Sequence, residues 1–111
     1  MTRLESDEEW DPAEYKEFTI ETWDYAAAAY TPFAQRYLEP YGAALLRMLD
    51  IPRRARVVDI ACGAGEPALT LAERMGPEVT VIGCDISPKM VEMAKREAQR
   101  RKEGSSGRRN R

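Results

Sequence analysis

The sequence predicts an α/β fold in which a helical lead precedes a β-α-β-α unit with two parallel strands. Two short apolar runs, residues 57–61 and residues 79–84, are rich in β-branched residues and lack alternation, which is typical of strands buried on both faces of a parallel sheet. A glycine-rich turn follows the first run, and a helical pattern of apolar residues follows each. Ser87 is predicted to cap the second of these helices, with Pro88 in its first turn. Parallel strands joined through a helix imply a right-handed crossover, so we expect the two strands to be neighbours.

The helical lead is predicted to contain three helices. Apolar residues recur at helical intervals over residues 14–30. Thr31 and Pro32 have the residue types of an N-cap and a first helical position, so they predict the start of a second, short helix. Pro40 interrupts the pattern again, and a third helix is expected over residues 43–49. An aromatic stripe along these helices is interpreted as core packing: Trp23, Tyr30, Phe33, Tyr37 and Tyr41.

The two ends of the 111-residue chain carry opposite charges. Residues 1–24 contain nine acidic and two basic residues, whereas residues 95–111 contain eight basic and two acidic residues. We expect residues 1–13 to form a disordered acidic lead, residues 14–102 the folded part, and residues 103–111 a flexible basic tail. No aromatic residue interleaves the basic positions, so nothing there can stack on bases and nucleic acid is not an expected partner.

Composition also bears on location and on metals. The N-terminus lacks a signal pattern, and no apolar stretch approaches membrane-spanning length, so we expect a cytoplasmic protein without a membrane span. Cys62 and Cys84 each close a predicted strand, and reduced thiols are favoured over a disulfide in that compartment. With two cysteines and no histidine the sequence offers too few ligands for zinc, so no metal is expected.

Four residues near the predicted strand ends form a candidate cofactor site. Gly63 and Gly65 form a Gly-x-Gly turn after the first strand, and Asp85 ends the second strand. A glycine turn followed by an acid at the next strand end is typical of sites for nucleotide-like cofactors, because the carboxylate accepts the ribose hydroxyls. Asp59 is more discriminating. A carboxylate within a buried strand is costly unless it meets donors or a cation, so this residue favours a cofactor that carries positive charge.

This stretch resembles the class I S-adenosylmethionine-dependent methyltransferases, and it is most similar to the branch that includes the ubiquinone- and menaquinone-biosynthesis methyltransferases. The matching segments are Val-Val-Asp-Ile-Ala-Cys-Gly-Ala-Gly-Glu-Pro-Ala-Leu at 57–69 and Val-Ile-Gly-Cys-Asp-Ile-Ser-Pro-Lys-Met at 81–90. Residues 23–30 are similar to the helix that precedes that fold and helps to cover its cofactor. The resemblance spans residues 20–102. It implies the N-terminal half of a Rossmann-like methyltransferase fold whose sheet is incomplete, because the strands that build the acceptor pocket do not follow residue 102.

The resemblance also implies a cofactor and a reaction. The cofactor is S-adenosyl-L-methionine, and the reaction is methyl transfer to a small-molecule acceptor. Asp59 would stabilise the ammonium group, Asp85 would bind the ribose hydroxyls, and Ile86 would pack on the adenine. The complete set of implied cofactor-binding residues is Asp59, Ala61, Gly63, Gly65, Asp85, Ile86 and Met90. No catalytic residue is identified, because the sequence has no histidine to serve as a base and no recognisable acceptor-binding residue.

The sequence leaves three interpretations open. The first is a small-molecule methyltransferase, of which this chain is a truncated form that retains the cofactor motifs. The second is a non-catalytic module that binds cofactor weakly or docks through its open sheet edge onto a partner or a second copy. The third is a fragment of an NAD-dependent oxidoreductase, since Gly63-x-Gly65-x-x-Ala68 followed by Asp85 also satisfies the dinucleotide fingerprint. For Asp59 alone, the alternative is a carboxylate that only ties down its own loop.

Overall fold

A computed structural model of the chain describes residues 10–109, and the side chains of residues 10–105. Within this range the elements follow one another in the order α1 (Pro12–Met48), β1 (Arg56–Ile60), α2 (Ala68–Met75), β2 (Thr80–Cys84) and α3 (Pro88–Arg109). This order confirms the predicted helical lead followed by a β-α-β-α unit. It corresponds to part of a Rossmann-like fold.

The two strands form a parallel pair. Their register runs from Arg56 opposite Thr80 to Ile60 opposite Cys84. One face of the pair packs against α2, and α3 lies on the same side across a cavity of about 280 Å³. A small core lies there and around the N-terminus of α3, made of Ala27, Cys62, Ala68, Leu71, Val79 and Met90. The other face, which we call the outer sheet face, consists of Val58, Ile60 and Ile82, and all three are exposed. The expectation of strands buried on both faces is therefore wrong for the described residues.

The lead forms one long helix, and the prediction of three helices is wrong. Asp11 is the N-cap, since its side chain accepts a hydrogen bond of 2.8 Å from the Ala13 N–H. Pro12 then occupies the first helical position. The two internal prolines, Pro32 and Pro40, each remove one N–H from the helix, but the residues four positions earlier, whose carbonyls lose that partner, are exposed. The Thr-Pro signal at residue 31 therefore does not start a new helix.

The length of α1 gives the molecule an elongated shape. The Cα radius of gyration is 18.0 Å, and the longest dimension is 67 Å. A compact chain of this length would have a radius of gyration of about 13 Å. The aromatic stripe of α1 is consequently not buried: 37% of Trp23 and 73% of Tyr41 are exposed. The stripe instead forms pairs along the helix, with the Trp23 and Tyr30 rings 5.1 Å apart and Phe33 and Tyr37 4.7 Å apart. Its assignment to core packing is wrong.

The last helix continues beyond the predicted boundary at residue 102. Pairs three or four residues apart support it: Glu97 binds both Arg100 and Arg101, and the Ser105 hydroxyl donates to the Arg101 carbonyl at 2.9 Å. Most of the predicted acidic lead, residues 1–9, and the last two positions of the predicted tail lie outside the described residues. Cys62 and Cys84 are both free thiols.

Two further observations concern membranes and metals. Among residues 10–109, none of the helices combines the length and the apolar composition needed to span a bilayer. The same part of the chain contains no cluster of three or more cysteine or acidic residues arranged to hold a metal ion.

Candidate cofactor site

A cleft of about 1230 Å³ lies between α1, the loops that follow β1 and β2, and parts of α2 and α3. Five of the seven predicted cofactor-binding residues line it: Ala61, Gly63, Asp85, Ile86 and Met90. Trp23 and Tyr30 contribute to its wall from α1. Asp59 and Gly65 are not among the lining residues. The fold therefore gathers the carboxyl ends of both strands and one face of α1 around a single space.

Asp85 joins the two loops at the carboxyl ends of the strands. Its Oδ2 accepts a hydrogen bond of 2.9 Å from the Gly63 N–H, and its Oδ1 accepts one of 2.9 Å from the Ser87 N–H. A carboxylate has about four lone-pair sites in all, so both oxygens retain capacity for further donors such as ribose hydroxyls. The residue predicted to bind ribose thus also holds the glycine turn in place.

The turn after β1 contains two residues in the left-handed region. Ala61 has φ of 61° and Gly63 has φ of 53°, and only the second is a glycine. A non-glycine residue in this conformation is uncommon and carries strain that the surrounding contacts must offset. A Cβ added at Gly63 would have no heavy atom within 4 Å, so this side of the turn is open. The open approach suits a ligand that comes close to the backbone.

Gly65 has a different environment from Gly63. Its φ is 115°, and a Cβ there would lie 2.5 Å from Cδ1 of Leu69 and 3.3 Å from Cβ of Ala94. The absence of a side chain lets the first turn of α2 and the middle of α3 approach the turn. The structure thus gives Gly65 a packing role, and its contact with the cofactor stays a prediction.

Asp59 has one carboxylate oxygen with no partner. Oδ2 is buried and makes no hydrogen bond among the described residues, while the Ala68 N–H at the start of α2 interacts with the same carboxylate. Burial raises the pKa of Asp59, the Ala68 N–H opposes that rise, and the negative charges of Glu66 and Asp85 raise it further. An unpaired buried acceptor beside two other carboxylates is a site that favours a cation. These residues therefore fit a positively charged cofactor.

Sequence reasoning found the helix cap beside this site but missed its partner. Ser87 was predicted to cap α3, and its Oγ accepts a 3.1 Å hydrogen bond from the Met90 N–H. Asp24 of α1 was not predicted to take part. Its Oδ1 accepts from the Ser87 hydroxyl and, at 3.2 Å, from the Lys89 N–H. The one available signal was an acidic residue within an apolar stripe of α1.

A second missed cluster lies beside the glycine turn. The Arg101 guanidinium contacts three carboxylates, those of Glu66, Glu73 and Glu97. The Thr70 hydroxyl donates to Oε2 of Glu66 at 2.7 Å. The bonds from Arg101 and Thr70 hold the side chain of Glu66, the residue that directly follows Gly65. Hydrogen bonds from Arg100 and Arg101 hold the pKa of Glu97 at about 2.

Comparisons with known proteins agree on one class. Residues 52–104 match the family model described as a methyltransferase domain. Aklanonic acid methyltransferase DauC of Streptomyces sp. strain C5 is 32% identical over 87 residues, which cover 78% of this chain and 40% of that protein. Trans-aconitate 2-methyltransferase of Methylobacterium nodulans is 40% identical over 73 residues, which cover 66% of this chain and 28% of that enzyme.

Demethylmenaquinone methyltransferase of Geobacillus kaustophilus is 32% identical over 57 residues, which cover 51% of this chain and 24% of that enzyme. The chain thus spans 40% or less of the length of these curated relatives. No solved structure matches it.

Proposed function

Since the chain belongs to the S-adenosylmethionine-dependent methyltransferase family, we propose that it forms the cofactor-binding part of an enzyme that transfers a methyl group to a small molecule. The observation that carries the proposal is the buried, unpaired Oδ2 of Asp59. It lies next to a glycine turn that is itself held by Asp85. Negative charge at this place suits a sulfonium-bearing amino acid and does not suit an anionic pyrophosphate, so it favours S-adenosylmethionine over NAD.

The roles of the residues follow from their positions around the cleft. Asp85 offers two carboxylate oxygens to the ribose, and Ile86, which is 43% exposed, offers an apolar surface for the adenine. Asp59, Glu66 and Asp85 together make the region of the glycine turn electronegative. Gly63 leaves room for the amino-acid portion to approach the backbone. The bound cofactor supplies an electrophilic methyl group, and the chain's own residues bind and orient it.

The cleft also has room for an acceptor. A drug-sized ligand occupies a pocket of roughly 300–1,000 Å³, whereas this cleft measures about 1230 Å³. Space remains along α1, where Trp23, Tyr30 and Tyr41 line the cleft. We propose that a small-molecule acceptor binds against one part of this wall, since Trp23 and Tyr41 lie about 27 Å apart along α1. Methyl transfer then depends on alignment of the acceptor with the sulfonium methyl, which positioning can provide.

Free thiols at Cys62 and Cys84 are compatible with a reducing compartment, so a cytoplasmic location is part of the same proposal.

Isothermal titration calorimetry of the folded chain with S-adenosylmethionine tests the proposal. We expect saturable heat with one site per chain, and we expect S-adenosylhomocysteine to compete. NAD serves as the matched control, because it presents the same adenosine but carries a pyrophosphate. Absence of heat in a sample with native circular dichroism contradicts cofactor binding by this chain. Thermal protection by NAD without protection by S-adenosylmethionine favours the oxidoreductase alternative instead.

A further inference from the structure

We propose that Asp24 is a positioning residue that fixes α1 against the cofactor loops, so that the wall contributed by α1 and the loops after β1 and β2 face the same ligand. The inference rests on the proposed function, because cofactor binding is the property that Asp24 would position. It assigns to α1 a defined polar contact with the site in addition to its apolar packing.

The first observation is the way the N-terminus of α3 is capped. Pro88 occupies the first helical position and has no N–H, so the next two donors are those of Lys89 and Met90. The Met90 N–H is bound by the Ser87 hydroxyl oxygen, and the Lys89 N–H is bound by Asp24. A carboxylate at this end of a helix also interacts favourably with the helix dipole. Part of the cap of α3 thus comes from another helix, 65 residues away in sequence.

The second observation is a continuous series of hydrogen bonds from α1 to the glycine turn. The Ser87 hydroxyl donates to Asp24, and the Ser87 N–H donates to Oδ1 of Asp85. The other oxygen of Asp85 binds the Gly63 N–H. Ser87 is completely buried, so its hydroxyl has no access to water while the Asp24 carboxylate is in place. A displacement of Asp24 therefore reaches the residue that is proposed to bind ribose.

The third observation concerns the orientation of α1 about its own axis. Asp24, Ala27 and Thr31 share one face at helical spacing, and the latter two are buried. Ala27 is small, and the Thr31 hydroxyl meets the Met90 sulfur at 3.8 Å, so these contacts alone constrain the rotation weakly. Trp23 and Tyr30 lie on the adjacent face and line the cleft. Asp24 adds a charged contact, and in this proposal that contact keeps those rings directed at the site.

The test uses the full chain carrying Trp10→Phe, which leaves Trp23 as the sole tryptophan. Asp24→Ala removes the tie, and Asp24→Asn keeps an acceptor oxygen while removing the charge. Glu21→Gln is the matched control, because Glu21 is an exposed acid one turn earlier on α1. Acrylamide quenching of Trp23 is measured without ligand. Calorimetry and Trp23 emission are then measured during titration with S-adenosylmethionine.

We expect Asp24→Ala to increase the quenching of Trp23, to abolish its emission change on titration, and to weaken binding about tenfold, the equivalent of one hydrogen bond to a charged group. Asp24→Asn restores both Trp23 signals and binds within about fivefold of the parent, since only the dipole interaction is lost. Glu21→Gln behaves as the parent. If Asp24→Ala loses its helical circular dichroism, Ser87→Ala replaces it in the test. This variant removes the hydroxyl link to Asp24 together with the acceptor of the Met90 N–H, and it leaves the Asp24 bond to the Lys89 N–H in place.

Unchanged quenching in Asp24→Ala overturns the inference, because α1 is then held without Asp24. Increased quenching with unchanged affinity also overturns it, since the tie then positions nothing for the ligand. Failure of the parental chain to bind is a distinct result: it contradicts the proposed function and is recognised because it occurs in every variant alike.

Discussion

The loops at the carboxyl ends of the strands and the outer sheet face of the same two strands are built very differently. At the loops, Asp85 joins the glycine turn to the start of α3, and Ser87 beside it is completely buried. On the outer sheet face, Ile60 is 80% exposed and no described residue covers it. The contrast shows that the cofactor loops are organised by hydrogen bonds among the described residues. The outer sheet face would need partners that residues 10–109 do not supply.

The largest expected effect follows from removing the residue that organises the loops. Asp85→Ala deletes the acceptor of the Gly63 and Ser87 N–H groups and the proposed ribose ligand at once. We expect cofactor binding to weaken by about 2–4 kcal/mol, the value of two charge-assisted hydrogen bonds. Asp85→Asn, which keeps one acceptor oxygen, should lose less. Calorimetry measures both, and an unchanged dissociation constant in Asp85→Ala would remove the ribose assignment.

The two glycines of the turn are expected to have different roles, Gly65 in packing and Gly63 in ligand access. Gly65→Ala places a Cβ 2.5 Å from the Leu69 side chain at a φ of 115°, so we expect unfolding to become easier by about 2–4 kcal/mol. Gly63→Ala meets no neighbouring atom and should cost about 1–2 kcal/mol of stability for its φ of 53°. Its larger effect should be on cofactor affinity. Urea denaturation with calorimetry distinguishes them, and equal losses of stability would show that both glycines serve packing.

Asp59 is expected to reduce the stability of the ligand-free protein. Burial raises its pKa above the ordinary value of 3.8, so the folded state holds the proton more tightly than the unfolded state. The tighter proton binding of the folded state stabilises the protein fully below pH 3.8, and this stabilisation is lost as the pH rises through the raised pKa of Asp59. Asp59→Asn should therefore stabilise the ligand-free chain slightly at pH 7, by less than about 1 kcal/mol because water screens part of the carboxylate, and flatten the dependence of stability on acidic pH.

The same substitution should weaken S-adenosylmethionine binding, because it removes the negative charge. Asp59→Ala is the control, since it also removes the acceptor of the Ala68 N–H and should destabilise the protein. Thermal unfolding between pH 4 and pH 7 checks the sign. A loss of stability in Asp59→Asn would identify the carboxylate as a tie for its own loop.

Local signals in the sequence predicted the parts of the site that lie close together in the chain. The strand, turn, helix and second strand follow each other within residues 56–84, and the Ser87 cap involves a residue three positions away. Residue type and spacing are sufficient for such contacts. Gly63 and Asp85 lie further apart, but parallel strands bring their ends to one edge of the sheet, so their meeting was also predictable.

Other features depend on contacts that residue spacing does not encode. The Asp11-Pro12 and Thr31-Pro32 pairs carry the same helix-start signal, and only the first begins a helix. The bond between Asp24 and Ser87 spans 63 residues, and neither residue indicates the other. Part of the crowding around Gly65 comes from Ala94, whose position is set by the packing of α3. Tertiary packing decides these points, and local propensity does not override it.

The smallest expected effect tests the outer sheet face itself. Val58→Thr exchanges a methyl group for a hydroxyl at a position that is 56% exposed, so stability should change by less than about 0.5 kcal/mol. Val79→Thr makes the same exchange at a residue that is 8% exposed, where a buried hydroxyl should cost about 1–3 kcal/mol. Urea denaturation at two protein concentrations measures the pair. If Val58→Thr costs as much as Val79→Thr, and the cost grows with protein concentration, the outer sheet face is covered in solution by a second copy of the chain.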